Sequence, residues 1–150
     1  MFKNILITTD GSEFSDKAVK EGVALAKALQ AKVVGVHIIP SNFAASYGYY
    51  GEVPWIDEEL NQRMRAAATA DGKRHVDRIH AAAHAAGVES ERVVVERNIV
   101  WKGIIDTATE YDCDLIIMAA HGRRGLSALV LGSETHRVLT HSKIPVLVYR

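Results

Sequence analysis

The chain has little cysteine, no surplus of either charge and no long apolar run, and each shortage excludes a class of protein. Its single cysteine, Cys113, rules out an internal disulfide framework. A lone cysteine fits a reducing, cytosolic setting. Lys and Arg total 18 and Asp and Glu total 18, so the formal net charge is zero. A general nucleic-acid binder carries a basic excess, so no nucleic-acid partner is expected. No segment approaches the ~18 uninterrupted apolar residues of a membrane span, and no membrane partner is expected either. Met1-Phe2-Lys3-Asn4-Ile5 runs straight into a strand pattern, so no secretory leader is expected. There is no internal repeat or low-complexity tract. The alanine cluster at 81–86 reads as a helix with small side chains.

Several nucleotide and catalytic signatures are missing too. The dinucleotide fingerprint Gly-x-Gly-x-x-Gly should follow the first strand, where the chain reads Asp10-Gly11-Ser12-Glu13-Phe14-Ser15. The Walker pattern is absent. A receiver domain would need an acidic pair after the first strand, and only Asp10 is present. Adenylyl-transfer enzymes use His-x-Gly-His or Ser-Gly-Gly-x-Asp-Ser, and neither occurs. His37 and His121 fall near strand ends, but no Ser or Cys nucleophile pairs with them, so acyl transfer is not supported.

What is present is an alternating pattern. At 150 residues, 48% hydrophobic and 24% charged, the chain suits one globular domain over 1–150. Phe2 to Thr8 predicts a strand, and residues 13 to 30 a helix capped by Ser12 or Ser15. Lys32 to Ile39 is a short apolar run suited to a strand buried on both faces. Residues 40–56 predict a long loop. Its Tyr47, Tyr49, Tyr50 and Trp55 read as an exposed segment, or as an aromatic lid. Leu60, Met64, Ala68, Gly72, Val76, Ile79 and Ala83 form one helical stripe, with Gly72 as a close-packing point and Gly87 as the stop. Further strands are predicted at 92–96, 115–120 and 144–149, with helices around 104–111 and 132–141. The expected fold is α/β: a five-stranded parallel sheet, order 3-2-1-4-5, two helices on each face. Ligands of such sheets bind beyond the carboxyl ends of the strands. Here the loops concerned are 9–12, 38–42, 97–101 and 119–133.

The last of these loops carries the chemistry. Leu115 to Ala120 is apolar, His121-Gly122-Arg123-Arg124-Gly125 follows, and Gly132-Ser133-Glu134-Thr135 opens a helix. A glycine-rich loop ending at a helix N-terminus gathers free N–H groups and the positive end of the dipole, which together suit a phosphate. Gly122 and Gly132 are expected to give the backbone close approach and positive φ. Asp10 can accept hydrogen bonds from a sugar or base, and serves equally as a turn-former. Arg123 and Arg124 read as phosphate contacts or as a solvated basic loop. Asp77, His80 and His84 share a helical face, a spacing that metal ligands use but that surface residues show far more often. Cys113 reads as an inert buried thiol.

The whole chain resembles the universal stress proteins. The likeness rests on Ile5-Leu6-Ile7-Thr8-Thr9-Asp10-Gly11-Ser12, Val36-His37-Ile38, Asp114-Leu115-Ile116-Ile117-Met118 and Pro145-Val146-Leu147-Val148. The ATP-binding branch carries Gly-x2-Gly-x9-Gly-Ser/Thr, which Gly122, Gly132 and Ser133 match. Ala119 stands at the first glycine, and Thr8 stands where many relatives have proline. A β-carbon at a position needing positive φ costs about 1 kcal/mol, so Ala119 is expected to weaken the site. The resemblance implies ATP, or AMP or ADP, with magnesium or manganese on the phosphates rather than in a protein cage. It implies Asp10 at the adenosine half, the Ile38 backbone at the adenine edge, and Met118 and Ala119 beside the ribose. Gly122, Gly132, Ser133 and Glu134 would hold the phosphates, with Arg123 nearby. It further implies a cytoplasmic stress-response binding module with at most slow hydrolysis, and a homodimer through 144–149. The alternatives are a dimeric scaffold acting through a protein partner, and an ATP-consuming adenylyl-transfer enzyme.

Overall fold

The computed structural model describes residues 1–41, 58–122 and 131–150. The Tyr47, Tyr49, Tyr50 and Trp55 loop, and Arg123 and Arg124, lie outside the described residues. The elements run β1 (Asn4–Thr8), α1 (Glu13–Leu29), β2 (Lys32–Pro40), α2 (Glu58–Ala86), β3 (Ser90–Arg97), α3 (Val100–Glu110), β4 (Leu115–Ala119), α4 (Ser133–His141) and β5 (Val146–Tyr149). The strands pair in parallel in the expected order, β3-β2-β1-β4-β5.

Successive strand side chains point to opposite faces, and here both faces are covered. Ile5, Ile7, Val33, Leu115 and Ile117 pack against Val19, Val23 and Ala26 of α1 and Ile79 and Ala83 of α2. Leu6, Val34, Val36, Ile116 and Met118 pack on the other side against Ile104 and Ala108 of α3 and Val138 of α4. That double burial is why β1 and β4 read as unbroken apolar runs: Ile5, Leu6 and Ile7 are fully buried, as are all five residues of β4.

The helix ends follow their local chemistry. Ser12 caps α1, its hydroxyl accepting from the Ser15 N–H at 3.2 Å, with Glu13 and Asp16 in the first turn. Gly87 closes α2 at φ +74, its N–H donating to the His84 carbonyl while Val88 N–H donates to the Ala83 carbonyl. Gly72 is the close-packing point its place on the stripe suggests. A β-carbon there would lie 2.8 Å from His37 Cδ2 and 3.0 Å from Val94 Cγ1.

Some boundaries differ from the sequence reading. β3 is longer than 92–96, because its backbone pairs with β2 from Ser90 to Arg97 whatever the polarity of the side chains. β5 starts at Val146 rather than Ile144. The Ile144 N–H and carbonyl are both engaged by the Ser142 hydroxyl, at 3.0 and 2.8 Å. No described helix is long and apolar enough to cross a membrane.

Candidate functional site

The strand order reverses between β1 and β4, and ligands of such sheets bind at this switch point, beyond the carboxyl ends of the strands. Two residues meet there. Asp10, just after β1, accepts from the Ser12 N–H through Oδ1 at 3.0 Å, the local turn that aspartate favours. Its other oxygen reaches the opposite loop: a β-carbon on Gly122 would lie 2.5 Å from Asp10 Oδ2. Asp10 is therefore both a turn-former and the group facing the glycine loop. Ile38 on β2 and Met118 on β4 lie on the strands that flank β1, buried in one apolar cluster.

The first turn of α4 is tied to the end of β4 by two hydrogen bonds. Gly132 N–H donates to the Ala120 carbonyl at 2.8 Å, and the buried Thr135 hydroxyl donates to the Ala119 carbonyl at 2.9 Å. The N–H groups of Ser133, Glu134 and Thr135 are the first of the helix and have no intrahelical partner by construction. A β-carbon on Gly132 would sit 3.3 Å from the Ala120 oxygen, so the chain passes close to β4 there.

Two expectations about this loop need correction. Gly132 has φ −57 and ψ 147, and the only described glycines with positive φ are Gly11 and Gly87. Close approach, not left-handed backbone, is what Gly122 and Gly132 supply. Ala119 is an ordinary strand residue paired with Tyr149, and the described non-glycine residues at positive φ are Gln30 and Asp112. No backbone strain arises from alanine at this position. The Glu134 side chain is also engaged elsewhere than in the loop, its Oε2 accepting from Trp101 N–H at 2.8 Å.

This geometry can be set beside known proteins. The universal stress protein family matches residues 1–150. The chain belongs to that family. It is 29% identical to universal stress protein YxiE of Bacillus subtilis, with all of both chains covered. It is 30% identical to a universal stress protein of Thermus aquaticus, again over all of both chains. Among solved structures it is similar to MJ0577 of Methanocaldococcus jannaschii, at 28% identity and a TM-score of 0.79, covering 99% of this chain and 95% of that one.

In this universal stress protein a further set of residues supports the Asp10 turn, and sequence reading missed most of it. A ring nitrogen of His37, Nδ1, lies 2.8 Å from the Thr9 carbonyl and donates to it. The His75 ring fills the space that a β-carbon on Gly11 would occupy, and Gly11 has φ +80. The two imidazoles sit 5.1 Å apart. Arg78 donates to Asp16 at 2.9 Å and to the Gly11 carbonyl at 3.3 Å, and lies 3.0 Å from His75 Nδ1. The clue in the sequence was the spacing Gly72, His75, Arg78 along one side of α2. An apolar stripe count passes over it, because two of the three are polar.

The remaining candidates make other contacts. His121 makes an edge contact with Phe14, centroids 5.9 Å apart. Asp77 accepts from Arg92 and His80 pairs with the Ser90 hydroxyl, so two of the helical trio are engaged with β3, while His84 is exposed. Among the described residues no group of three or more His, Cys, Asp or Glu is placed to hold a metal ion. Cys113 is buried, and burial pushes its thiol up to about 12, with the charges of Asp114 and Asp112 adding to the shift.

Proposed function

We propose that this universal stress protein binds an adenine nucleotide in the crevice between β1 and β4 and acts as a binding and signalling module. The observation that carries the reading is the meeting of Asp10 with Gly122 beside an α4 N-terminus clamped to β4. An anchored helix start presents preset N–H donors to a phosphate. Asp10 takes the adenosine half, the Ile38 backbone the adenine edge, and Met118 and Ala119 the ribose side. Gly122, Arg123, Gly132 and the backbone of Ser133 and Glu134 take the phosphates, with any divalent cation on the phosphates. Solved proteins of the same fold include a universal stress protein in complex with cAMP and one from Archaeoglobus fulgidus in complex with dAMP, at TM-scores of 0.69 and 0.68. At 21% and 18% identity they speak for the fold alone.

Hydrolysis is read as slow at most, since Asp10, the carboxylate that meets Gly122, is held in its turn by the Ser12 N–H. The reading includes one domain over 1–150, a cytoplasmic location and a homodimer through β5, whose Leu147 is 39% exposed at the sheet edge. The scaffold alternative drew its support from Ala119, and an unstrained strand alanine no longer favours it.

Calorimetric titration with ATP, ADP and AMP tests the site. Gly132→Val should abolish binding, because branched carbons beside the Ala120 carbonyl force the α4 start away from β4. Ser133→Ala should cost on the order of 1 kcal/mol, one hydrogen bond. Equal affinity in wild type and Gly132→Val would place the phosphates elsewhere. Absence of binding at millimolar nucleotide would overturn the reading in favour of the scaffold.

A further inference from the structure

We infer that Glu134 sets which nucleotide the site prefers, selecting against each added phosphate; this rests on the nucleotide reading above. Glu134 is the second residue of α4, so its own N–H is one of the donors at the helix start. Its carboxylate does not swing freely in solvent. The side chain is half-buried, and Oε2 accepts from Trp101 N–H at 2.8 Å. Trp101 is in the first turn of α3, whose N-cap residue Ile99 provides no side-chain cap. Glu134 supplies the missing acceptor from 33 residues away, and that bond anchors its charge.

The anchored carboxylate has two consequences for an anion at the α4 N-terminus. It offsets part of the positive end of the helix dipole. It also repels the incoming phosphates, and the repulsion grows with their total charge. A monophosphate or cyclic nucleotide meets little of it. The β- and γ-phosphates of ATP add charge in the same region and meet more. A mobile surface glutamate would rotate away and be screened, whereas one bonded to a neighbouring helix cannot.

Glu134→Gln separates the charge from the cap. The amide oxygen still accepts from Trp101 N–H, and only the charge is lost. Affinities for AMP, ADP and ATP are measured by calorimetry at low salt without divalent cation, for wild type and Glu134→Gln. ATP should bind the variant at least about fivefold tighter, ADP by an intermediate factor, and AMP by less than about twofold. Added salt should shrink the ATP gain, since screening acts on the repulsion. Glu134→Ala should show the same gain with a lower melting temperature, because it loses the cap as well. An unchanged ATP-to-AMP affinity ratio in both variants, with wild type binding nucleotide, would overturn the assignment of Glu134 alone. A wild type that binds none of the three would overturn the nucleotide reading, and this assignment with it.

Discussion

Replacing Ala119 by glycine would restore the family motif, but where the motif suggests a gain in affinity the structure assigns the change a loss of stability with affinity unchanged. If Ala119 were held at positive φ, glycine would relieve about 1 kcal/mol of strain and tighten nucleotide binding close to fivefold. Ala119 instead lies in β4, paired with Tyr149 and 9% exposed. Glycine there removes a buried methyl, worth about 0.8 kcal/mol. It also loosens the unfolded chain and weakens the strand by roughly 0.5–1 kcal/mol. The sum is about 1.5 kcal/mol of lost stability. For a chain of this size that lowers the melting temperature by roughly 3–6 °C. Nucleotide affinity should stay within about twofold of wild type, because the Ala119 carbonyl that holds Thr135 belongs to the backbone and survives the substitution. Thermal denaturation and calorimetry on the same preparation give both readouts. A fivefold gain in ATP affinity at unchanged melting temperature would refute the reasoning and return strain to this position.

Four further outcomes rest on the packing. Gly72→Ala gains about 1 kcal/mol of helix propensity but drives a methyl into His37 and Val94, at about 1–3 kcal/mol, so urea denaturation should show net destabilisation; a stabilised variant would mean the α2–β2 contact is looser than described. The Cys113 thiol should resist alkylation at pH 8 in the folded protein and react once denatured. Because its folded pKa is raised to about 12 from 9.0, the unfolded chain releases the proton first, and stability present below pH 9.0 is lost as pH rises toward 12; Cys113→Ala should flatten that fall in urea titrations across the range. Leu147→Lys places a charge on the exposed β5 edge and should convert the proposed dimer to monomer in sedimentation, and a variant that stays dimeric would put the interface elsewhere.

The strand and helix alternation and the two-sided core were legible in the sequence because they depend on short-range pattern, whereas the strand order rested on crossover handedness and on the family resemblance. Ile5 to Ile7 and Leu115 to Ala119 are apolar at every position, and only strands covered on both faces require that. Ser12 before α1 and Gly87 after α2 announce helix ends through hydrogen bonds that span three to five residues. Gly122 and Gly132 were recognisable as a phosphate-loop spacing, although the sequence attached the wrong backbone geometry to them. The tertiary structure alone decided where Asp10 Oδ2 points, which helix Glu134 caps, and that His75 fills the space left by Gly11. These contacts join residues tens of positions apart. Their geometry depends on the angle at which each helix settles on the sheet, and that angle is a compromise among all the side chains of the core. Local pattern determines which elements form. The close-packed interior determines what their ends bring together.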